Sequence, residues 1–295
     1  VSTRASPGSA LRVVAAVLRS SHPGPTLTVT VLTVVLGLAI GLPADRLAVV
    51  AVGVLAGQLA IGLSNDVIDA ERDRRVGRRD KPIAQGVIAA RTILIVAVAC
   101  ALIGFGLPFA LGPGTGIAHA VLLASGLAYN AGLKGTPASV VPFVVSFGIL
   151  PAVVTLADAP PAPPALWALG VGAVFGVAIH FTNVLPDLAD DARTGIVGLP
   201  HRLGRLRAGL VAFGALASAA VLALVGQLTS SPADIDGPHL ALAFGGAAVV
   251  VALAGIGAAA VLQGRSSRLL FRLIMASALL LVAQLAVGGA ALTAR

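Results

Sequence analysis

The sequence predicts an all-α polytopic membrane protein, with nine transmembrane helices around a central cavity. Three observations carry this. The chain has 295 residues, 57% hydrophobic and 11% charged, with a mean hydropathy of +0.99; a soluble domain of this size cannot bury that much apolar surface. Apolar runs of about 18–24 residues recur along the whole length, the span a helix needs to cross the hydrocarbon core. No stretch alternates strictly between polar and apolar residues, which argues against a transmembrane β-barrel.

The nine spans fall at 25–42, 47–64, 92–111, 116–133, 138–157, 165–184, 209–228, 239–262 and 270–293. Residues 1–24 form an expected cytoplasmic N-terminal segment, and 25–295 a single transmembrane domain. Arg4, Arg12 and Arg19 precede an apolar run as in a signal peptide, but a second span follows almost at once, so a retained first helix is expected. The breaks suit water and resist helix: Pro43, Pro113–Gly114, DAPPAPPA (158–165) and SSPADIDGP (230–238). Only 65–91 and 185–208 are both long and charged. Cys100 is the only cysteine and lies within a span, so no intramolecular disulfide can form.

Lys and Arg set the orientation. The N-terminus, both long polar segments, Lys134 and 265–272 share one side and hold every basic residue except Arg46 and Arg295. That side is expected to be the cytoplasm, at the cell (plasma) membrane, with the C-terminus outside. The net charge of +8 then reflects topology and lipid contact, and nucleic acid is not an expected partner. The patterns GLAIG (37–41), GVLAG (53–57) and GAVFG (172–176) are expected to let helices approach closely.

The most polar stretch is SNDVIDAERDRRVGRRDKPIAQ (64–85). Asp66, Asp69 and Asp73 stand at i, i+3 and i+7, so on a helix continuing out of the second span they share one face, with Asn65 beside them. Glu71 points off that face, towards solvent. Like charges so placed repel unless a cation sits among them, and oxygen donors without His or Cys suit a hard ion such as Mg²⁺. Such an ion keeps waters and shares phosphate oxygens with a substrate. The second segment repeats the pattern: Asp187 and Asp191 at i and i+4, with Asn183 one turn earlier. Two clusters on one membrane side could grip a diphosphate through two or more Mg²⁺ ions. Arg72, Lys81 and Lys134 supply groups for anionic oxygens. His180, one turn before Asn183, and Gln58, seven residues before Asn65, are candidates to line a pocket for a second substrate.

NDVIDAERD (65–73) and DLADD (187–191) resemble the two motifs of the UbiA superfamily of intramembrane prenyltransferases, N-D-x-x-D-x-x-x-D and D-x-x-x-D, and DARTGIVGLPHRLG resembles the continuation into the next helix. With nine expected helices, the likeness covers nearly the whole chain. It implies a UbiA-like bundle with catalytic segments 65–91 and 185–208. It implies Mg²⁺-dependent transfer of a prenyl group from an allylic prenyl diphosphate to a small-molecule acceptor, usually aromatic, releasing pyrophosphate. By resemblance, Asp66, Asp69, Asp73, Asp187 and Asp191 are catalytic and hold Mg²⁺. The resemblance also implies that Asn65, Tyr129 and Lys134 bind the diphosphate; from the residues themselves Arg72, Lys81 and Asn183 are expected to join them, and Gln58 and His180 to face the acceptor. Two positions depart from the family pattern: Lys81 precedes Pro82 where Arg is common, and His22 stands where Arg-Pro is common.

Two other functions fit parts of the pattern. A UbiA-type terpene cyclase would share both motifs without an acceptor, but such enzymes line the cation path with aromatic faces, and this chain has only nine Phe, one Tyr and one Trp. A divalent-cation or lipid transporter would place ionisable residues near the bilayer midplane, whereas these stand at helix ends.

Overall fold

A computed structural model describes residues 7–186, 188, 191, 195–230, 237–265, 267–287 and 289–294. It is all-helical, as expected: α1 (Pro7–Ser20), α2 (Pro23–Ala39), α3 (Ala44–Arg75), α4 (Ala90–Gly106), α5 (Pro113–Asn130), α6 (Val141–Thr155), α7 (Leu166–Val184), α8 (Leu199–Ser230), α9 (Gly237–Leu262) and α10 (Ser267–Val287). Lipid cannot satisfy backbone N–H and C=O groups, so apolar segments of this length fold as helices.

Each expected span lies on one of α2–α10. By length and composition, six helices among the described residues are able to cross a membrane: α3, α4 with its 3₁₀ extension to Leu111, α6 with its preceding turn, α7, α8 and α9. The total is seven if α1 and α2, bent by 70° to one another, count as one broken span. α5 carries Thr115, His119, Tyr129 and Asn130, and the apolar part of α10 runs only from Arg272 to Ala286. The number nine therefore remains an expectation from the sequence.

Neighbours in sequence pack as neighbours in space: α2 on α3, α3 on α4 and α5, and then α5 through α10 in order, with α10 returning against α2 and α8. Small residues make the closest approaches. A Cβ on Gly172 or Gly176 would collide with the carbonyls of Phe147 and Phe143, so the GAVFG segment of α7 lies directly on the α6 backbone. In GVLAG, Gly53 packs on Pro108 and Gly57 on His119. A narrow apolar cleft between α2, α6, α7 and α10 is lined by Leu32, Leu36, Phe147, Leu150, Phe175 and Leu281.

The two polar segments are not loops throughout. α3 runs straight on from its apolar half and carries the first motif on helix as far as Arg75. It stops in a Schellman turn: Gly77 takes φ 68°, its N–H bonds the Arg74 carbonyl, and the Arg78 N–H bonds that of Asp73. The second segment re-enters helix at Leu199, with a break at Gly204.

A small separate core of Ala16, Leu63, Ala70, Ile83 and Ile88 pins α1, the end of α3 and the loop after it to one another. Here the α1–α2 elbow presses against α3, because Gly62 has no side chain to hold off the Ser21 carbonyl. Gly62→Ala is expected to displace the elbow and cost about 1–3 kcal/mol, seen as a lower thermal midpoint; an unchanged midpoint would show that the elbow is free to move.

Candidate active site

The three carboxylates of α3 are buried: Asp66 is 1% exposed, Asp69 6% and Asp73 2%. Buried charges need partners, and each has them. Lys81 Nζ donates to Asp66 Oδ1 at 2.5 Å, and Lys134 Nζ donates to Asp69 Oδ1 at 2.5 Å and towards Asn65 Oδ1 at 3.4 Å. Arg72 Nη2 bridges Asp69 Oδ2 (3.1 Å) and Asp73 Oδ1 (3.4 Å). Three anions thus face three cations drawn from separate parts of the chain. The turn after α3 delivers Lys81, fixed by Gln85 N–H and Val87 N–H bonding the Lys81 and Pro82 carbonyls and by the burial of Ile83. The 3₁₀ turn Leu133–Gly135 after α5 delivers Lys134. Asn130 holds that end of α5 on α3, donating to the Ile61 carbonyl (2.7 Å) and Ser64 Oγ (3.0 Å).

A fourth group joins the cluster from the elbow. His22 Nε2 lies 3.0 Å from Asp66 Oδ1, 2.9 Å from Lys81 Nζ and 3.4 Å from Asn65 Nδ2. Charges farther along face solvent. Glu71 is exposed and pairs with Arg74 and Arg75, as its position off the cluster face predicts. Arg78 grips both oxygens of Asp80, and these bonds hold that carboxyl well below the usual range.

The opposite wall comes from α5, α6, α7 and the start of α8. The Tyr129 ring meets Phe143 edge-on (5.1 Å between centroids) and His180 (5.9 Å), and both Asp191 and Asp69 act on its hydroxyl electrostatically. Phe143 stacks on Phe147, which meets Phe175 at the apolar cleft. His180 Nε2 pairs with Ser139 Oγ at 3.0 Å, and that oxygen accepts the Leu199 N–H at 2.9 Å. His201 Nε2 stands 3.7 Å from Asp191 Oδ2.

Asn65, Asp66, Asp69, Arg72, Asp73, Lys81 and Lys134 therefore form one contiguous cluster, with Tyr129, His180 and Asp191 on the facing wall. Asn183, at the end of α7, is exposed, and its side chain makes no hydrogen bond to another described residue. Gln58 is half-buried two turns from Asn65 on the same face of α3. Asp187 lies outside the described residues. The residue types alone did not single out Asn130, Ser139 or His201. His22 showed only as a departure from the family pattern.

Among the described residues no three Asp, Glu, His or Cys side chains converge as a ready metal cage. Mg²⁺ does not require one, since it takes one or two carboxylates and completes its shell with waters and phosphate oxygens. The residues fit such an ion. Asp66 Oδ2 is buried without a hydrogen-bond partner, and so is Arg72 Nη1. One is an acceptor suited to a cation, the other a donor suited to an anion.

Fold and site define an integral membrane protein whose helical bundle holds a buried carboxylate-and-cation cluster. Residues 26–269 match the UbiA prenyltransferase family, and the chain belongs to that family. It is 33% identical over 145 residues to 4-hydroxybenzoate octaprenyltransferase of Nitrosomonas eutropha, a match over 48% of this chain and 50% of that protein. The chain thus spans about half the length of that relative. In fold it resembles a UbiA homologue from Archaeoglobus fulgidus solved with DMAPP and Mg²⁺ (TM-score 0.71, 14% identity, 94% of this chain and 98% of that one). It also resembles a digeranylgeranylglyceryl phosphate synthase (TM-score 0.69, 12% identity, 94% and 98%).

Proposed function

We propose that this protein is a prenyltransferase, which uses Mg²⁺ to transfer a prenyl group from an allylic prenyl diphosphate to an aromatic acceptor, releasing pyrophosphate. The observation that carries this is the pair of unpartnered buried atoms, Asp66 Oδ2 and Arg72 Nη1, inside an otherwise charge-matched cluster. The hydroxybenzoate relative supports an aromatic acceptor, and the neighbour solved with DMAPP and Mg²⁺ supports the donor and the ion.

Asp66, Asp69 and Asp73 would hold Mg²⁺ from α3, and Asp187 and Asp191 from the second motif; when bound, the ion neutralises charge growing on the leaving diphosphate. The chain's own groups do the rest. Asn65, Arg72, Lys81 and Lys134 bind diphosphate oxygens, with Tyr129 donating its O–H and Asn183 reaching in from α7. The cations are preorganised, because the carboxylates already hold them in place. As the allylic C–O bond breaks, its electron pair goes to the diphosphate, and the faces of Tyr129, Phe143 and Phe147 stabilise the positive carbon. The acceptor's ring carbon supplies the electrons of the new C–C bond and then loses its proton to the released pyrophosphate. His180 and Gln58 contact the acceptor, and the Ser139 bond fixes the His180 ring. The prenyl tail follows Phe143, Phe147 and Phe175 into the apolar cleft, where water cannot quench the cation. We place the active site on the cytoplasmic side of the plasma membrane, in a single domain over 25–295, with α1 lying against α2 and α3.

The same ladder favours a second reading. Five of the chain's eleven Phe, Tyr and Trp residues (Tyr129, Phe143, Phe147, Phe175, Phe181) gather with His180 beside the charged cluster. Their small number argued against a cyclase; their concentration weakens that argument. The test is pyrophosphate release by the protein in nanodiscs with prenyl diphosphates of increasing length, with and without phenolic acceptors. Release that needs both Mg²⁺ and a phenol, and stops with EDTA, is expected. Release with a cyclic hydrocarbon and no acceptor selects the cyclase, and no release with any donor sinks both.

A further inference from the structure

We propose that His22 is a positioning residue for Asp66: the elbow between α1 and α2 holds its Nε2 against Oδ1, leaving Oδ2 as the oxygen that meets the cation. The proposal rests on the reading of Asp66 as a Mg²⁺ ligand.

His22 is the only described residue other than glycine with a positive φ (51°, ψ 65°). Side chains rarely adopt this conformation, and it persists where the surroundings over-determine it. Here they do. Ser21 Oγ donates to the Leu18 carbonyl (2.8 Å), Thr26 Oγ1 to the Ser21 carbonyl (2.8 Å), and Thr26 N–H to the His22 carbonyl (3.2 Å). Ser20 and Ser21 are buried, and the Ser21 carbonyl sits against Gly62, one turn before Asp66 on the same helix. The elbow is thus locked in a form that aims one imidazole at one carboxylate.

The hydrogen-bond inventory then divides the two oxygens of Asp66. Oδ1 faces both His22 Nε2 and Lys81 Nζ, whereas Oδ2, equally buried, has no partner. The two nitrogens stand only 2.9 Å apart around one oxygen. A bound diphosphate gives Lys81 a better acceptor, after which His22 alone orients the carboxylate. Groups that orient a metal ligand in this way are typically worth about 10–100-fold in metal affinity or activity.

His22→Gly separates this role from a purely structural one, because glycine accepts the left-handed backbone and removes only the ring. In the full chain in nanodiscs, Mn²⁺ binding is read by EPR. The half-saturating Mg²⁺ for pyrophosphate release and the thermal midpoint are measured alongside. We expect the midpoint not to fall, Mn²⁺ affinity to drop about tenfold, half-saturating Mg²⁺ to rise by a similar factor with kcat largely kept, and millimolar imidazole to restore binding. His22→Gly binding Mn²⁺ as the wild type does, while Asp66→Asn does not, overturns the assignment of His22. Asp66→Asn binding Mn²⁺ like the wild type, or a wild type that binds none, overturns the metal-site reading beneath it.

Discussion

Asp66→Asn is expected to lower the rate of pyrophosphate release about a thousandfold at saturating Mg²⁺ and prenyl diphosphate, with the fold kept. The amide has the shape of the carboxylate, and its carbonyl can still accept from Lys81, so the stability lost is about 1–3 kcal/mol. What it cannot do is offer the buried, unpartnered Oδ2 as a charged oxygen. It also leaves the cluster with one more cation than anion, which disfavours a second cation there. The measurement is a single-turnover assay in nanodiscs beside a thermal unfolding scan. A variant that turns over at the wild-type rate removes Asp66 from the chemistry.

Lys134→Met is expected to raise the KM for prenyl diphosphate about a hundredfold and to destabilise the protein by about 3–5 kcal/mol. Lys134 Nζ stands between Asp69 Oδ1 and Asn65 Oδ1. Its loss leaves Asp69, 6% exposed, paired with Arg72. Breaking a buried pair on one side is costly because the other charge stays behind uncompensated. The double variant Lys134→Met/Asp69→Asn separates the two effects. It should recover much of the stability and none of the diphosphate affinity. Recovery of both would make Lys134 a structural cation only.

Much of this site is legible in the residues. The spacing of Asp66, Asp69 and Asp73 needs only helical periodicity to place them on one face, and α3 carries all three on one uninterrupted helix. Glu71 falls off that face by the same arithmetic, and GAVFG packs as its small residues predict. The count of spans was less legible. α5 takes polar groups that bond inside the bundle, such as Asn130 to Ile61 and Ser64, so hydropathy understates its burial.

The partners of the carboxylates were not written in any local pattern. Lys81 is fifteen residues from Asp66, Lys134 sixty-five from Asp69 and His22 forty-four from Asp66. The arginine-rich stretch after Asp73 drew attention by density. Yet Arg74 and Arg75 pair with Glu71 at the surface, and Arg78 with Asp80.

By itself the sequence determined the membrane, the helices and the carboxylate face. Those follow from hydropathy and from a period of 3.6 residues, which act over one or two turns. Only the tertiary structure decided which cation serves which carboxylate, which oxygen of Asp66 is left unpartnered, and that a left-handed histidine reaches it. Those depend on where an elbow, a turn and a 3₁₀ corner are held in space. What holds them is the absence of a side chain at Gly62 and the burial of Ile83, whose effect appears only when distant segments meet.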